Sequence, residues 1–401
     1  MNSYDALVIG GGPGGATAAR LLAKAGWSVA VVEKAQFPRR KVCGEYLAPT
    51  NYPLFKELGI LDDFLRSAGP EVRRIELVLK GSTITSPMPR PERAHAGWGR
   101  ALRRDTLDAL LLSSAARAGA RVWQPWSVVG LKKSGGRFVS EVVSKKTDEA
   151  AEIESRVVVA AHGSWGVGHL PTQLGRRPAR SSDLFAFKAH FDNAALPADV
   201  MNMLVFPGGY AGMVNTDGGL LSFSFCVRRD YMETLRRASH GARPGQVVQD
   251  HILKSCAALG GVMSGARLRD DWLSAGPIRP GIRKRFEDGI FFIGNAAGEA
   301  HPTIADGISM AMQSAWLLSQ HLGGTQPRDL TDSDLRKVGR AYDRAWLKAF
   351  RFRIWAAEAF ARLALAPQTH ALLLPLARAF PRFLTVGARM GGIVDEVVAS
   401  T

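Results

Sequence analysis

The chain has 401 residues, 46% hydrophobic and 22% charged, a balance that excludes a disordered or low-complexity protein. Its 52 Lys and Arg against 36 Asp and Glu give a formal net charge of +16, which favours anionic partners. Even so, no recognition helix, zinc module or basic block interleaved with aromatics marks a nucleic-acid binder.

The first predicted strand begins near Tyr4, so no signal peptide is expected ahead of it. Its apolar run Ala6-Leu7-Val8-Ile9 leads into Gly10-Gly11-Gly12-Pro13-Gly14-Gly15 and then a helical stretch over 16–25. Glycines at 10, 12 and 15 give Gly-x-Gly-x-x-Gly in the strand–turn–helix setting of a dinucleotide fingerprint. Gly10 permits the tight turn, Gly12 lets the backbone approach a pyrophosphate, and Gly15 lets helix and strand pack closely. Pro13 and Gly14 open the helix, whose uncapped N–H groups face the anion. A second strand ends at Glu33, about twenty residues on, where an acid would accept from a ribose 2′-OH.

A loop over 37–45 follows, then a helix near 49–58, an alternating strand over 75–85, and a helix over 103–119 with Leu107, Leu111 and Ala115 on one face. Segments 121–129, 137–144 and 152–159 read as a small antiparallel piece, and 157–161 as a buried parallel strand turning at His162-Gly163-Ser164. From 184 to 272 the pattern is that of a separate sheet, with strands near 185–191, 203–206, 212–215 and 220–227 and a helix over 244–259. A buried strand at 290–294 and a helix at 308–322 come next. Beyond Leu335 the chain is helical, amphipathic, basic and aromatic, broken at Pro367, Pro375 and Pro381. Three cysteines (Cys43, Cys226, Cys256) have neither metal-ligand nor disulfide spacing, and no run of eighteen apolar residues suits a span. A cytoplasmic protein is expected.

Gly294-Asn295-Ala296-Ala297-Gly298-Glu299-Ala300-His301-Pro302, followed by Gly307-Ile308, resembles the ribityl-binding motif of the class A flavoprotein monooxygenases. Their p-hydroxybenzoate hydroxylase-like superfamily includes geranylgeranyl reductases and flavin-dependent halogenases. Arg104-x-x-x-Asp108-x-x-Leu111 is similar to a superfamily helix whose arginine lies near the flavin. Lys41-Val42-Cys43-Gly44-Glu45-Tyr46 is nearer the reductase form of a loop facing that flavin, and the segment 206–212 resembles the front of the reductases' substrate sheet. Two departures stand out. Asn295 replaces an aspartate and is a weaker, neutral acceptor. Ala161-His162-Gly163-Ser164 lacks the aspartate that helps hydroxylases bind NADPH.

The resemblance implies FAD, with NADPH or NADH as the alternative electron donors. It implies cofactor contacts from Gly10, Gly12, Pro13, Gly14, Gly15, Glu33, Lys34, Arg104, Val128, Gly294, Asn295, Ala296, Gly307 and Ile308, and reacting groups Cys43, Tyr46 and His301. The expected fold is α/β: a Rossmann-like FAD-binding domain with an inserted antiparallel β substrate domain and a helical C-terminal cap. Its FAD-binding parts are 1–74, 101–165 and 281–330, its substrate parts 75–100 and 166–280, and its cap 331–401. Three activities fit. The first is a reductase or dehydrogenase of C–C bonds in an isoprenoid, polyketide or acyl substrate. The second is a monooxygenase of an aromatic or polyketide substrate, with His301 relaying a proton. The third is a halogenase, for which Lys80 is a weak stand-in for the lysine that faces the substrate. The substrate is expected to be hydrophobic, free or carrier-protein-bound, and not a nucleic acid. The C-terminal helices either roof the cavity or rest on a membrane surface.

Overall fold

The computed structural model describes residues 2–79, 81–89, 97–164, 166, 168–175, 177–239, 241, 243–325, 327, 330–369, 374, 375, 378–380, 384 and 385. Lys80, Leu372, Leu373, Pro381 and Phe383 lie outside the described residues.

The first sheet runs Phe286–Glu287, Ile290–Phe292, Ala150–Ala160, Asn2–Ile9, Val29–Val32 and Arg121–Trp123. Its central pairings are parallel, with Ile9 beside Val32 on one side and Ala160 on the other. Val29–Val32 and Val157 to Ala160 are apolar at every position because helices or loops cover both faces, and all of them are buried. Helix Pro13–Lys24 packs between helices Arg104–Arg117 and Gly307–Leu322.

The second sheet is ordered Arg267–Leu268, Leu184–Asp192, Leu221–Arg228, Gly209–Asn215, Val200–Phe206, Arg74–Leu79 and Ser82–Pro87, with Leu273–Ile278 also on Leu184–Asp192. One face carries Phe187, Phe191, Phe223, Phe225, Leu204 and Phe206 into an apolar core under helix Pro244–Ser255. Alternation turns Ala186, Lys188, His190, Ser222, Ser224, Cys226, Tyr210, Val214, Met201 and Met203 to the other face, toward the first sheet.

Helix Asp332–Leu365 closes the described fold, started by a capping box between Thr331 and Asp334. Its Tyr342 hydroxyl donates to the Phe292 carbonyl at 2.8 Å, and Trp346 and Phe350 are buried in the first core. Among the described residues, no helix is long and apolar enough to cross a membrane.

Several expectations need correcting. The 75–85 strand is a hairpin, Arg74–Leu79 with Ser82–Pro87. Segments 152–159 and 157–161 belong to one strand, Ala150–Ala160: its first half pairs antiparallel with Arg137–Ser144, its second half parallel with Asn2–Ile9. Segment 121–129 splits, since Arg121–Trp123 joins the parallel ladder beside Val29–Val32 and Trp126–Ser134 turns back on Arg137–Ser144. Helices Leu61–Ser67 and Arg229–Ala238 were not anticipated; the latter buries no residue, so it leaves a weak apolar signature.

Candidate functional site

The carboxyl ends of the parallel strands meet at Gly10, whose N–H donates to Val32 O at 2.8 Å, and at Ala161, whose N–H donates to Ile9 O at 2.9 Å. Such crevices are where open α/β sheets bind ligands. Gly10 has φ of 107°, and a Cβ on Gly15 would stand 1.8 Å from the Gly10 carbonyl oxygen. A Cβ on Gly12 would meet nothing closer than Arg39 Nη2 at 3.8 Å. The helix that follows has no side-chain cap, and neither does helix Gly307–Leu322, so first-turn N–H groups of both are left for an acceptor.

Glu33 is fixed at this turn. Its Oε2 accepts from Gly11 N–H at 2.7 Å and its Oε1 from Ala35 N–H at 2.9 Å. Beside it, Arg39 lies 3.8 Å from Glu33 Oε1 and 3.4 Å from Asp108 Oδ2. Arg104 grips Asp108 with two hydrogen bonds of 2.8 Å. Against the burial that disfavours its charge, Asp108 and the Cys43 sulfur keep that guanidinium protonated. Burial, then the charges of Arg39, Arg104 and Lys34, pushes the Lys41 ammonium down to about 8. Arg39, Arg104, Lys34 and Lys41 thus stand with Glu33 and Asp108 at a glycine cradle, where a diphosphate would meet main-chain N–H groups and cations together, so the residues present fit FAD.

The second glycine turn closes the same cleft. Gly294 has φ of 55°, and its N–H donates to Ser314 Oγ at 2.8 Å. Asn295 Nδ2 donates to Glu299 Oε1 at 2.9 Å, an interaction an aspartate could not make with a carboxylate. Glu299 also accepts from Ser164 Oγ at 3.2 Å and pairs with Arg283 at 3.0 Å; burial raises its carboxyl above the usual range. His301 Nδ1 accepts from Thr303 N–H at 3.4 Å, and its ring lies 5.6 Å from that of Tyr210. Burial pushes this imidazole down to about 4, so it is neutral near pH 7. His162 spends its ring on the Gly163 and Thr172 carbonyls.

One cavity of about 730 Å³ joins these parts to the inward face of the second sheet. Cys43, Tyr46 and His301 line it, with Gly10, Gly12, Pro13, Gly14, Glu33, Lys34, Arg104, Val128, Gly294, Asn295, Gly307 and Ile308. Gly15 is spent on the strand–helix contact, and Ala296 is buried in the first core; neither is part of the wall. The far end is apolar, with Ile75, Leu77, Leu79, Ile84, Met203 and Val205 from the sheet and Phe360 and Leu365 from the long helix. Sequence reasoning missed Arg39, Glu45 and Glu299 in this wall. Arg39 is held there with its guanidinium over the Phe37 ring at 4.7 Å, a contact with no local signature in the sequence.

A Rossmann-like sheet, two facing glycine turns and an adjoining apolar cavity define an FAD-dependent oxidoreductase. The chain belongs to the FAD binding domain family, matched over residues 3–338. It is similar to a digeranylgeranylglycerophospholipid reductase of Thermoplasma volcanium, 28% identical over 348 residues, 80% of this chain and 78% of that protein. It is also similar to a 1H-pyrrole-2-carbonyl-(peptidyl-carrier protein) chlorinase of Pseudomonas fluorescens, 26% identical over 79% of this chain and 75% of that one. Among solved structures, a myxobacterial chondrochloren halogenase superposes with a TM-score of 0.75 at 20% identity, covering 100% of this chain and 93% of its own.

Proposed function

We propose that this enzyme is a reductase or dehydrogenase acting on C–C bonds of a hydrophobic isoprenoid, polyketide or acyl substrate. The observation that carries this reading is the continuity of the flavin cleft with an apolar sheet face, with the Cys43 to Tyr46 loop at their junction. When bound, FAD supplies hydride transfer. Gly10, Gly12, Pro13 and Gly14 would hold its diphosphate with Arg39 and Lys34, Glu33 its ribose, and Gly294, Asn295, Gly307 and Ile308 the ribityl end. Arg104 and Val128 would flank it. Cys43 and Tyr46 would border the reacting carbon, and NADPH or NADH would donate the electrons. Burial holds the Tyr46 phenol protonated, so it would not act as a base.

The halogenase reading is weaker here. Among the described residues, Lys188, a buried lysine of the substrate sheet, does not line the cavity and is paired with Glu45, so it offers no amine to a substrate. Monooxygenation is the second reading. It is favoured by one observation, a neutral His301 in the cavity wall next to Tyr210.

Anaerobic reduction of the purified holoprotein by NADPH and by NADH, followed by candidate lipids with and without air, separates these reactions. A saturated product formed without oxygen supports the first reading, whereas an oxygenated product that requires air overturns it. The substrate is free or carried by a protein. A peripheral contact with anionic membrane is supported by the exposed Phe352 and Trp355 beside the exposed cations Arg344, Lys348 and Arg351.

A further inference from the structure

Glu45 has φ of 64°, a left-handed conformation uncommon for a glutamate, between Gly44 and Tyr46. Such a residue persists when its surroundings over-determine it. Here the donors come from both halves of the molecule. The N–H of Arg104, at the start of helix Arg104–Arg117, donates to Glu45 Oε1 at 3.0 Å. From the substrate sheet, Lys188 pairs with the same oxygen, and His190 Nε2 lies 2.9 Å from Oε2. Glu45, Lys188 and His190 are 2%, 1% and 3% exposed. Although burial disfavours its charge, Lys188 and His190 hold the Glu45 carboxyl down at about 2.

A buried ion pair adds little net stability, because desolvation offsets most of its attraction. Geometry is what this one supplies. The Glu45 N–H donates to Cys43 Sγ at 3.4 Å, so the residue that is clamped is also the one that orients the thiol. Gly44 lies over the sheet row that carries Lys188 and Ser224; a Cβ on it would stand 3.7 Å from Ser224 Oγ. Cys43, Gly44, Glu45 and Tyr46 all face the cavity.

We propose that Lys188 and His190 are positioning residues: by clamping Glu45 across the two sheets they fix Cys43 in the cavity wall. This rests on reading Cys43 as a group beside the reacting carbon, but the clamp can be measured without turnover.

The test uses holoprotein in which Glu45→Gln and Lys188→Met are combined. That double change replaces the pair by neutral groups of similar size, whereas Lys188→Met alone strands a buried carboxylate. Iodoacetamide labelling, followed peptide by peptide, reports on Cys43 because Cys226 and Cys256 are buried. Labelling of Cys43 is expected to become about tenfold faster as the loop opens locally, with flavin absorbance retained. His190→Leu should move in the same direction, while His190→Gln, which keeps an N–H donor, should label at the wild-type rate. These two decide the matter if the double variant does not fold. Wild-type labelling in both the double variant and His190→Leu overturns the clamp. If labelling accelerates but Cys43→Ala turns over normally, the clamp stands and the role given to Cys43 falls.

Discussion

The two ends of the cavity are made of different material. The flavin end is mostly main chain: glycine turns too crowded or too twisted for a side chain, helix starts with unclaimed N–H groups, and charged residues in fixed pairs. The substrate end is mostly side chain, the inward face of a sheet whose outward face is an aromatic core. At the first end the main chain itself fills the space, so its geometry admits few residue types. At the second, the wall is made by side chains alternating along strands, and its shape is set by which side chains those are.

The largest effect should follow from adding one methyl at the flavin end. Gly15→Ala places a Cβ inside van der Waals contact with the Gly10 carbonyl and should cost at least about 3 kcal/mol, giving colourless or insoluble protein. Recovery of a yellow, cooperatively unfolding variant would break the distinction between the two ends. At the junction, His301 ties stability to pH. Its buried imidazole takes up a proton near 4, whereas the unfolded chain takes one up near 6.5, so the contribution is complete above 6.5 and is lost as pH falls toward 4. The loss should reach about 3 kcal/mol, and His301→Asn should flatten the dependence of unfolding midpoint on pH in that window.

Glu33→Gln leaves one acceptor oxygen where Gly11 and Ala35 each donate an N–H, and removes the charge that strengthens an accepted ribose bond. FAD affinity should fall roughly 10- to 100-fold, read by titrating apoprotein, as expected for a lost charge-assisted hydrogen bond. Unchanged affinity would remove Glu33 from the ribose site. The smallest effect is expected outside the cavity. Trp355→Ser, at a position 67% exposed, should leave stability within about 0.5 kcal/mol. Its reading is flotation with anionic vesicles at low salt, where a wild-type protein that does not float ends the membrane proposal.

The flavin end was legible in the sequence because its constraints are local. Strand, turn and helix lie within 2–24, and the second turn with its helix within 290–322. What could not be read were the ties between distant segments. Glu45 and His190 are 145 residues apart, and Lys188 and His190 pass for the outward positions of an alternating strand. Nothing local shows that their side chains point at a carboxylate instead of water. The same limit split Ala150–Ala160 in two, since a strand that is half exposed and half enclosed changes its hydrophobic pattern midway. Arg39 was hidden for another reason: an arginine in a loop is ordinary until the glycine turn beneath it is seen.

Trp346 presses against the main chain at Gly298, where any Cβ would fall 2.5 Å from the indole. The long helix is thus moulded into the second glycine turn, not laid over it. Swapping that helix for one from a relative would require the matching change at residue 298, because the glycine and the tryptophan make one joint. For anyone dissecting this enzyme, the roof is part of the foundations.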